Sequence, residues 1–309
     1  MQHYRRFVTV FSPNSTRADK YIKIRPQLID LAHDAKADYT EVRLEDTPYY
    51  DARRLIGNEL KDGDLLIACG GDGTAQVAFD ALYCSKKDAT YATIPLGNGN
   101  DTARALYGNK RSPNVILMAD ECDFSPLNIY INGRRQFSLC SYITFGATTI
   151  LVDYLNDVDS RRRRKYLRVL SPAMSVPIAR LGDISKAINQ MNFPDFMRDD
   201  QLMRDDSIGF FLISAAHDIL RLPHSYLHAS SDFYFHHAVT GDKSLAQKVV
   251  MAGLWTLKFP GEASSIEELT LERPSAITAN VAGDNIPLDG VRQISALRSQ
   301  RTVKILALK

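Results

Sequence analysis

Residues 70–74, Gly-Gly-Asp-Gly-Thr, combine flexible backbone donors with one carboxylate in a single turn. Glycines let the backbone adopt positive φ and let a ligand approach the N–H groups closely. The apolar run 65–69 precedes the turn and a helical pattern follows it, so unpaired N–H groups at a helix start face the same place. Such a site fits nucleotide phosphates. An ordinary strand-to-helix turn is the alternative, but it needs one glycine and seldom an acid between two more.

A second glycine-rich loop follows the apolar residues 91–94 and contains Gly97, Asn98, Gly99, Asn100 and Asp101. Loops that leave neighbouring parallel strands meet at one edge of a sheet, and this pair would bring Asp72 and Asp101 there together. Backbone donors beside two carboxylates are what a magnesium-bound triphosphate requires. Asp101 has an alternative role as the N-cap of a helix that starts at Thr102.

The elements that must position these loops alternate between strand and helix. Apolar runs predict strands at 7–11, 39–44, 65–69 and 91–94, and periodic patterns predict helices after the turn cluster 12–16, at 48–60 and at 75–83. Ser15 or Thr16 is the expected cap of the first helix and Thr74 of the third. This alternation predicts an α/β domain with an open parallel sheet and ligands at the carboxyl ends of its strands.

From residue 123 the pattern changes to strands. Asn132-Gly133 between the runs 124–131 and 135–141 predicts a hairpin with a type I′ turn. Further strands are predicted at 208–215, 233–239, 266–271, 276–281, 291–297 and 302–308, which indicates an antiparallel β-sandwich. We therefore expect a nucleotide-binding domain at 1–122 and a second, β-sandwich domain at 123–309. The second contains a helical insertion at about 149–191, and the final strands are candidates for a return to the first domain.

Composition limits the partners and the compartment. A net charge of +2, from 38 basic and 36 acidic side chains, gives no reason to expect nucleic acid. The four cysteines show no metal-ligand or disulfide spacing, which favours the cytoplasm. No apolar run is long enough for a signal peptide or a spanning helix. The five cations at 161–165 predict either peripheral contact with an anionic membrane or a solvated helix start. A homodimer is compatible with the sequence.

The two glycine motifs together resemble the catalytic domain of the diacylglycerol kinase and sphingosine kinase family of lipid kinases, which is related to the NAD kinases. Residues 12–16 resemble that family's Asn-Pro-x-Ser-Gly loop, and Thr47 with Asp51-Ala52 resembles its Thr…Gly-Asp-Ala segment. The resemblance implies ATP, Mg²⁺ and a lipid hydroxyl as acceptor, with residues 123–309 as the acceptor domain. It implies nucleotide contacts at Ser12, Asn14, Ser15, Thr16, Thr47, Gly70, Gly71, Asp72, Gly73, Thr74, Gly97, Asn98, Gly99 and Asn100.

The resemblance also implies acidic residues around the reacting phosphate. Asp72 and Asp101 would organise the phosphates, and Asp101 and Asp232 are the candidate metal ligands. The family's general base is an aspartate in an Asp-Gly-Glu turn, and this chain has Ala282 at that position. Alanine cannot accept the proton of a hydroxyl.

Asp284 stands where the family has the glutamate of that turn, so we expect Asp284 to be the catalytic acid nearest the acceptor, with Asp289 as the alternative. Two other functions stay open. One is a kinase that acts on NAD or another small molecule. The other is a nucleotide or lipid sensor without catalysis, which the alanine at 282 would explain.

Overall fold

The structure is a computed structural model. It describes residues 4–97, 100–108, 110, 112–146, 149–150, 152–153, 183, 186–187, 196–198, 201–203, 210–214, 234–237, 263–264 and 268–308. The predicted helical insertion at 149–191, the cation run 161–165 and the predicted ligands Asn98, Gly99 and Asp232 lie largely or wholly outside these residues.

Within the described residues, five α-helices and sixteen strands are numbered in chain order. The helices are α1 Tyr21–Asp34, α2 Tyr49–Glu59, α3 Asp72–Ser85, α4 Asp101–Tyr107 and α5 Val115–Met118. The first eight strands are β1 Arg6–Phe11, β2 Asp38–Arg43, β3 Asp64–Gly70, β4 Thr90–Pro95, β5 Asp120–Phe124, β6 Leu127–Ile131, β7 Arg134–Leu139 and β8 Tyr142–Gly146. The other eight are β9 Phe196–Arg198, β10 Gln201–Met203, β11 Phe210–Ser214, β12 Tyr234–His237, β13 Ala263–Ser264, β14 Glu268–Val281, β15 Asp284–Arg298 and β16 Val303–Ala307.

Contacts between Cα atoms divide the chain into two compact units. The first consists of residues 1–126, 138–141 and 298–309, and the second of residues 127–137 and 142–297. Among the described residues, no helix is both long and apolar enough to cross a membrane.

The first unit is built on a six-stranded sheet with the order β2-β1-β3-β4-β16-β5. β1 pairs in parallel with β2 and β3, and β4 pairs in parallel with β3 and β16, so only β5 runs antiparallel. Gly70 lies opposite Pro95 in the register of β3 and β4. The two glycine loops therefore leave the sheet side by side, as the parallel alternation predicts.

Burial explains why the central strands and their helices form. Every residue of β3 is buried, and in α3 each residue from Thr74 to Tyr83 is buried. A strand with apolar side chains on both faces is stable only inside a parallel sheet covered by helices. The α/β fold predicted from these apolar runs is confirmed.

Helix starts differ from the predicted ones. α3 begins at Asp72 with Gly71 as its N-cap, so Thr74 lies inside the helix and the prediction that it caps the helix is wrong. A 3₁₀ turn, Ala18–Lys20, precedes α1, whose N-cap is Lys20 rather than Ser15 or Thr16. Gly70, the glycine that ends β3, allows the chain to turn at once, so α3 begins only two residues later, at Asp72.

The strands of the second unit belong to one antiparallel sheet, which has ten strands among the described residues. The predicted hairpin at Asn132-Gly133 is confirmed, with both residues at positive φ. The predicted strand 124–131 is divided, because β5 ends at Phe124 in the first sheet and β6 begins at Leu127 in the second. The division into an α/β part and an antiparallel part agrees with the predicted fold class.

Candidate functional site

The two glycine loops contact each other directly at the carboxyl edge of the first sheet. A Cβ added to Gly97 would lie 2.6 Å from Gly71 Cα, and one added to Gly70 would lie 2.3 Å from Thr74 Oγ1. The Leu96 N–H donates to Gly70 O at 2.7 Å. These positions need glycine because any side chain would occupy space that the neighbouring loop or helix already fills.

Asn100 closes the second loop. Its Oδ1 accepts the Gly97 N–H at 2.8 Å, and its Nδ2 donates to Gly97 O at 2.6 Å. Asn100 has φ 54°, in the left-handed region that asparagine tolerates better than most residues. It is also the N-cap position of α4, so the alternative of Asp101 as that cap is wrong. Asn100 shapes the loop with both polar atoms of its side chain.

Asp72 links the two loops. Its Oδ1 accepts the Thr102 N–H, in the first turn of α4, at 3.0 Å. Burial, and after it the charge of Asp101, raise the pKa of the Asp72 carboxyl to about 7, against the backbone donors of residues 100–102. Asp101 itself pairs with Arg104 at 2.7 Å. Two neighbouring carboxylates that repel each other favour a shared proton or a bound cation, because either one reduces the repulsion.

The loop after β1 lies beside the glycine loops. The Ser12 N–H donates to Cys69 O at 3.4 Å, and the Arg17 N–H donates to Leu96 O at 2.9 Å. Ser15 and Thr16 lie between these two anchors and are partly exposed. The loop therefore runs over the ends of β3 and β4.

The loop after β2 is joined to the same edge. Asn14 Nδ2 donates to Asp46 Oδ1 at 2.7 Å, and Thr47 Oγ1 donates to Glu45 O at 3.2 Å. The structure thus brings four predicted segments to one edge: residues 12–16, Thr47, residues 70–74, and Gly97 with Asn100. They surround the point between β1 and β3 where the strand order reverses, which is the usual ligand position in such sheets.

The hairpin between β14 and β15 holds the predicted catalytic acid, in the second unit. Asp284 is exposed and pairs with Val281 across a two-residue turn formed by Ala282 and Gly283. Both turn residues have positive φ, at 50° and 105°. The Ala282 N–H donates to Tyr142 O at 3.1 Å, which fixes the turn to the start of β8.

A carboxylate that the sequence analysis did not single out lies near this turn. Asn285 Nδ2 donates to Asp153 Oδ1 at 2.6 Å and to Thr149 O at 2.7 Å, and its Oδ1 accepts from Asn280. Asp153 is exposed. No motif surrounds Asp153, and its separation from Asn285 in the chain leaves no local signal that could have found it.

The residues of the first unit fit a nucleotide with a divalent cation. The first intrahelical bond of α3 joins the Ala75 N–H to Gly71 O at 3.0 Å, so the N–H groups of residues 72–74 have no acceptor within the helix. The backbone of the two loops has no Cβ where they touch, and the two carboxylates offer the oxygen ligands that Mg²⁺ takes. No group of three or more histidine, cysteine or acidic side chains that could hold a metal alone occurs in the described part of the chain.

A cation here would therefore be shared with phosphate oxygens, as Mg²⁺ usually is in phosphoryl-transfer sites.

A segment of 93 residues is 45% identical to the probable lipid kinase YegS-like of Pseudomonas aeruginosa strain UCBPP-PA14 and covers 29% of this chain and 30% of that protein. The same kind of protein from Pseudomonas savastanoi pv. phaseolicola is 45% identical over 56 residues, 18% of each chain. These matches span less than a third of the relatives' length.

A crystal structure of a diacylglycerol kinase from Bacillus anthracis str. Sterne is similar over 100% of this chain and 98% of that chain, with a TM-score of 0.59 and 14% identity, which shows a shared fold. Residues 6–123 match the diacylglycerol kinase catalytic domain, and they contain both glycine loops and all four edge segments. Residues 6–123 are thus similar to the diacylglycerol kinase catalytic domain family.

Proposed function

We propose that the chain is a lipid kinase that transfers the γ-phosphoryl group of ATP, with Mg²⁺, to a hydroxyl of a diacylglycerol- or sphingosine-type lipid. The observation that carries the proposal is the direct contact of the two glycine loops beside the Asp72 and Asp101 carboxylates. Phosphoryl transfer depends mainly on positioning and charge stabilisation, and this edge supplies both. The match of residues 6–123 to the diacylglycerol kinase catalytic domain and the similarity to probable lipid kinases favour a lipid as acceptor.

Each part of the edge has a role in this proposal. The N–H groups of residues 72–74, which have no acceptor within α3, would bind phosphate oxygens, and residues 12–16 with Thr47 would border the rest of the nucleotide. Asp101 and Asp72 would hold the metal-bound phosphates in place. Bound Mg²⁺ would neutralise charge that develops on the transferred group.

The test is transfer of label from γ-labelled ATP to a total lipid extract by the purified protein. Asp72→Asn keeps an acceptor for the Thr102 N–H but removes the charge, so we expect a loss of about 100-fold or more in rate. Asp30→Asn, which changes an exposed acid on α1, is the matched control and should retain full activity. No labelled lipid with the unchanged protein, or equal activity of the two variants, would contradict the proposal.

Asp284 is the proposed base that receives the proton of the acceptor hydroxyl. Loss of a general base typically costs about 10²–10⁴-fold in rate, so Asp284→Asn should lower kcat by that order and leave the KM for ATP unchanged. Asp153→Asn, at the neighbouring carboxylate, should have a small effect. The opposite pattern would transfer the role from Asp284 to Asp153.

Ala282 favours a second candidate, a sensor that binds nucleotide or lipid without turnover. Its methyl group stands in a tight turn where the family resemblance leads us to expect the base. Calorimetric ATP binding measured beside turnover distinguishes the two functions. Tight binding without transfer to lipid, or to NAD in a parallel assay, combined with a gain of transfer in Ala282→Asp, would favour the sensor.

A further inference from the structure

One face of α3 carries three polar residues at intervals of four, Asp72, Gln76 and Asp80. Residues four apart lie on the same side of a helix. Gln76 and Asp80 are both fully buried, at 0% exposure, among alanine, valine and phenylalanine. Burying an amide or a carboxylate costs free energy of folding unless the group is hydrogen-bonded. The hydrogen bonds of Gln76 and Asp80 therefore indicate their structural role.

Gln76 binds the backbone of a distant segment at two points. Its Nε2 donates to Ser138 O at 2.9 Å, and its Oε1 accepts the Cys140 N–H at 3.1 Å. This pattern resembles the bonding that a neighbouring strand would supply. One side chain therefore fixes both the position and the register of residues 138–140.

Asp80 holds the same segment at a third point. Its Oδ1 accepts the Ser138 N–H at 3.0 Å. Its Oδ2 accepts from Tyr49 Oη at 3.1 Å and from Arg53 Nη1 at 3.0 Å. Burial raises the pKa of the Asp80 carboxyl, and the Arg53 cation opposes this rise. Tyr49 and Arg53 on α2 thus orient the carboxylate toward the Ser138 N–H.

The segment held in this way is where the chain passes between the two units. Residues 138–141 belong to the first unit, and the chain enters the second unit on both sides of them. The next residue, Tyr142, accepts the Ala282 N–H with its carbonyl. Ala282 and Gly283 form the turn before Asp284.

We propose that this face of α3 is a positioning device. Asp72 contacts the glycine loops, and Gln76 and Asp80 transmit the effect of nucleotide binding to residues 138–140 and onward to the Asp284 turn. The inference rests on the proposed function for the nucleotide that binds. α3 begins at the first glycine loop. Because a packed helix is a continuous, rigid element, a displacement of one end also moves the other end. A ligand that draws the two loops together would tighten the bonds at Ser138 and Cys140.

The test is hydrogen exchange of the Ser138 and Cys140 amides with and without a non-hydrolysable ATP analogue and Mg²⁺, with binding measured separately by calorimetry. In the unchanged protein, saturating nucleotide should slow exchange of both amides by about tenfold or more. Gln76→Met, which keeps the side-chain length but neither hydrogen bond, should bind nucleotide within about threefold of the unchanged protein and lose this slowing. Its acceptor phosphorylation should fall in kcat with the KM for ATP unchanged.

Gln27→Met is the matched control, because Gln27 is exposed and bonds only within α1, to Lys23 O. It should keep the slowing in full. Gln76→Leu, which also makes neither hydrogen bond, replaces Gln76→Met if that variant does not fold, and the same loss of slowing is expected. Nucleotide binding without slower exchange at these amides, or slowing that persists in the Gln76 variant, overturns the inference alone. A protein that binds no nucleotide overturns the proposed function and this inference with it.

Discussion

Gly97→Ala forces apart the two loops that carry the proposed phosphate site. The new Cβ would lie 2.6 Å from Gly71 Cα and 3.1 Å from Asn100 Oδ1. Carbon atoms that do not bond prefer about 3.5–4.0 Å, so the loops would have to separate by about 1 Å. Relief by side-chain rotation is excluded, since the nearest atom belongs to the backbone.

Two effects of known size follow from that separation. Overpacking of a well-packed contact costs about 1–3 kcal/mol in the free energy of unfolding, which lowers the Tm by several degrees. A displacement of about 1 Å in a catalytic arrangement costs about 100-fold in rate. We therefore expect a modest loss of stability and a much larger loss of transfer, because the donors that bind phosphate are the groups that move.

The assay measures Tm, nucleotide Kd and lipid phosphorylation for three alanine variants. Gly57→Ala, on α2, is the control, because its Cβ would meet neighbours at ordinary distances of 3.7 Å and 3.9 Å. It should be as active as the unchanged protein and slightly more stable, since alanine favours helices. Gly71→Ala, with 3.4 Å to Gly97 Cα, should fall between them. If Gly97→Ala matches Gly57→Ala in Kd and activity, the loop contact is not what shapes the site.

Two further predictions concern protonation and turn geometry. The pKa of Asp72 is raised from 3.8 to about 7, so below about pH 4 the folded and unfolded states are both protonated, and from pH 4 to 7 only the folded state holds the proton. The free energy of unfolding should therefore fall as the pH rises from 4 to 7, and Asp72→Asn should flatten that fall in denaturant titrations at each pH. Gly133→Ala meets no atom within 4 Å but imposes φ 73° on alanine, so chemical denaturation should show a loss of about 1 kcal/mol. Ala282→Gly, which removes a methyl from a residue at φ 50°, should show no such loss.

The parallel sheet was predictable because it depends on features that adjoin in the sequence. The apolar run that forms β3 is followed at once by its glycines, and the register with β4 then places the second loop beside the first without further information. The type I′ turn at Asn132-Gly133 is similar, since both residues favour positive φ. Here local propensity and tertiary structure agree.

Other features depend on partners far away in the chain. Asp72 was predicted as a phosphate organiser, and the sequence gives no sign that its carboxylate also binds the Thr102 N–H. In the sequence, Gln76 and Asp80 have the spacing of the polar side of an amphipathic helix. Their burial could not be predicted, because their hydrogen-bond partners lie far away in the chain, at residues 138–140. The break at Pro126 was missed for the opposite reason: apolar residues on both sides conceal that β5 and β6 belong to different sheets.

The place of β16 in the first sheet affects how the chain can fold during synthesis. β16 lies between β4 and β5, yet it is synthesised long after both, because the residues of the second unit precede it in the chain. Until then β4 has an unpaired edge, and such edges readily pair with other chains. Contacts between residues so distant in sequence also form slowly. We therefore expect the first sheet to begin folding early and to be completed late, so that a nascent chain stalled before residue 303 would expose the unpaired edge of β4.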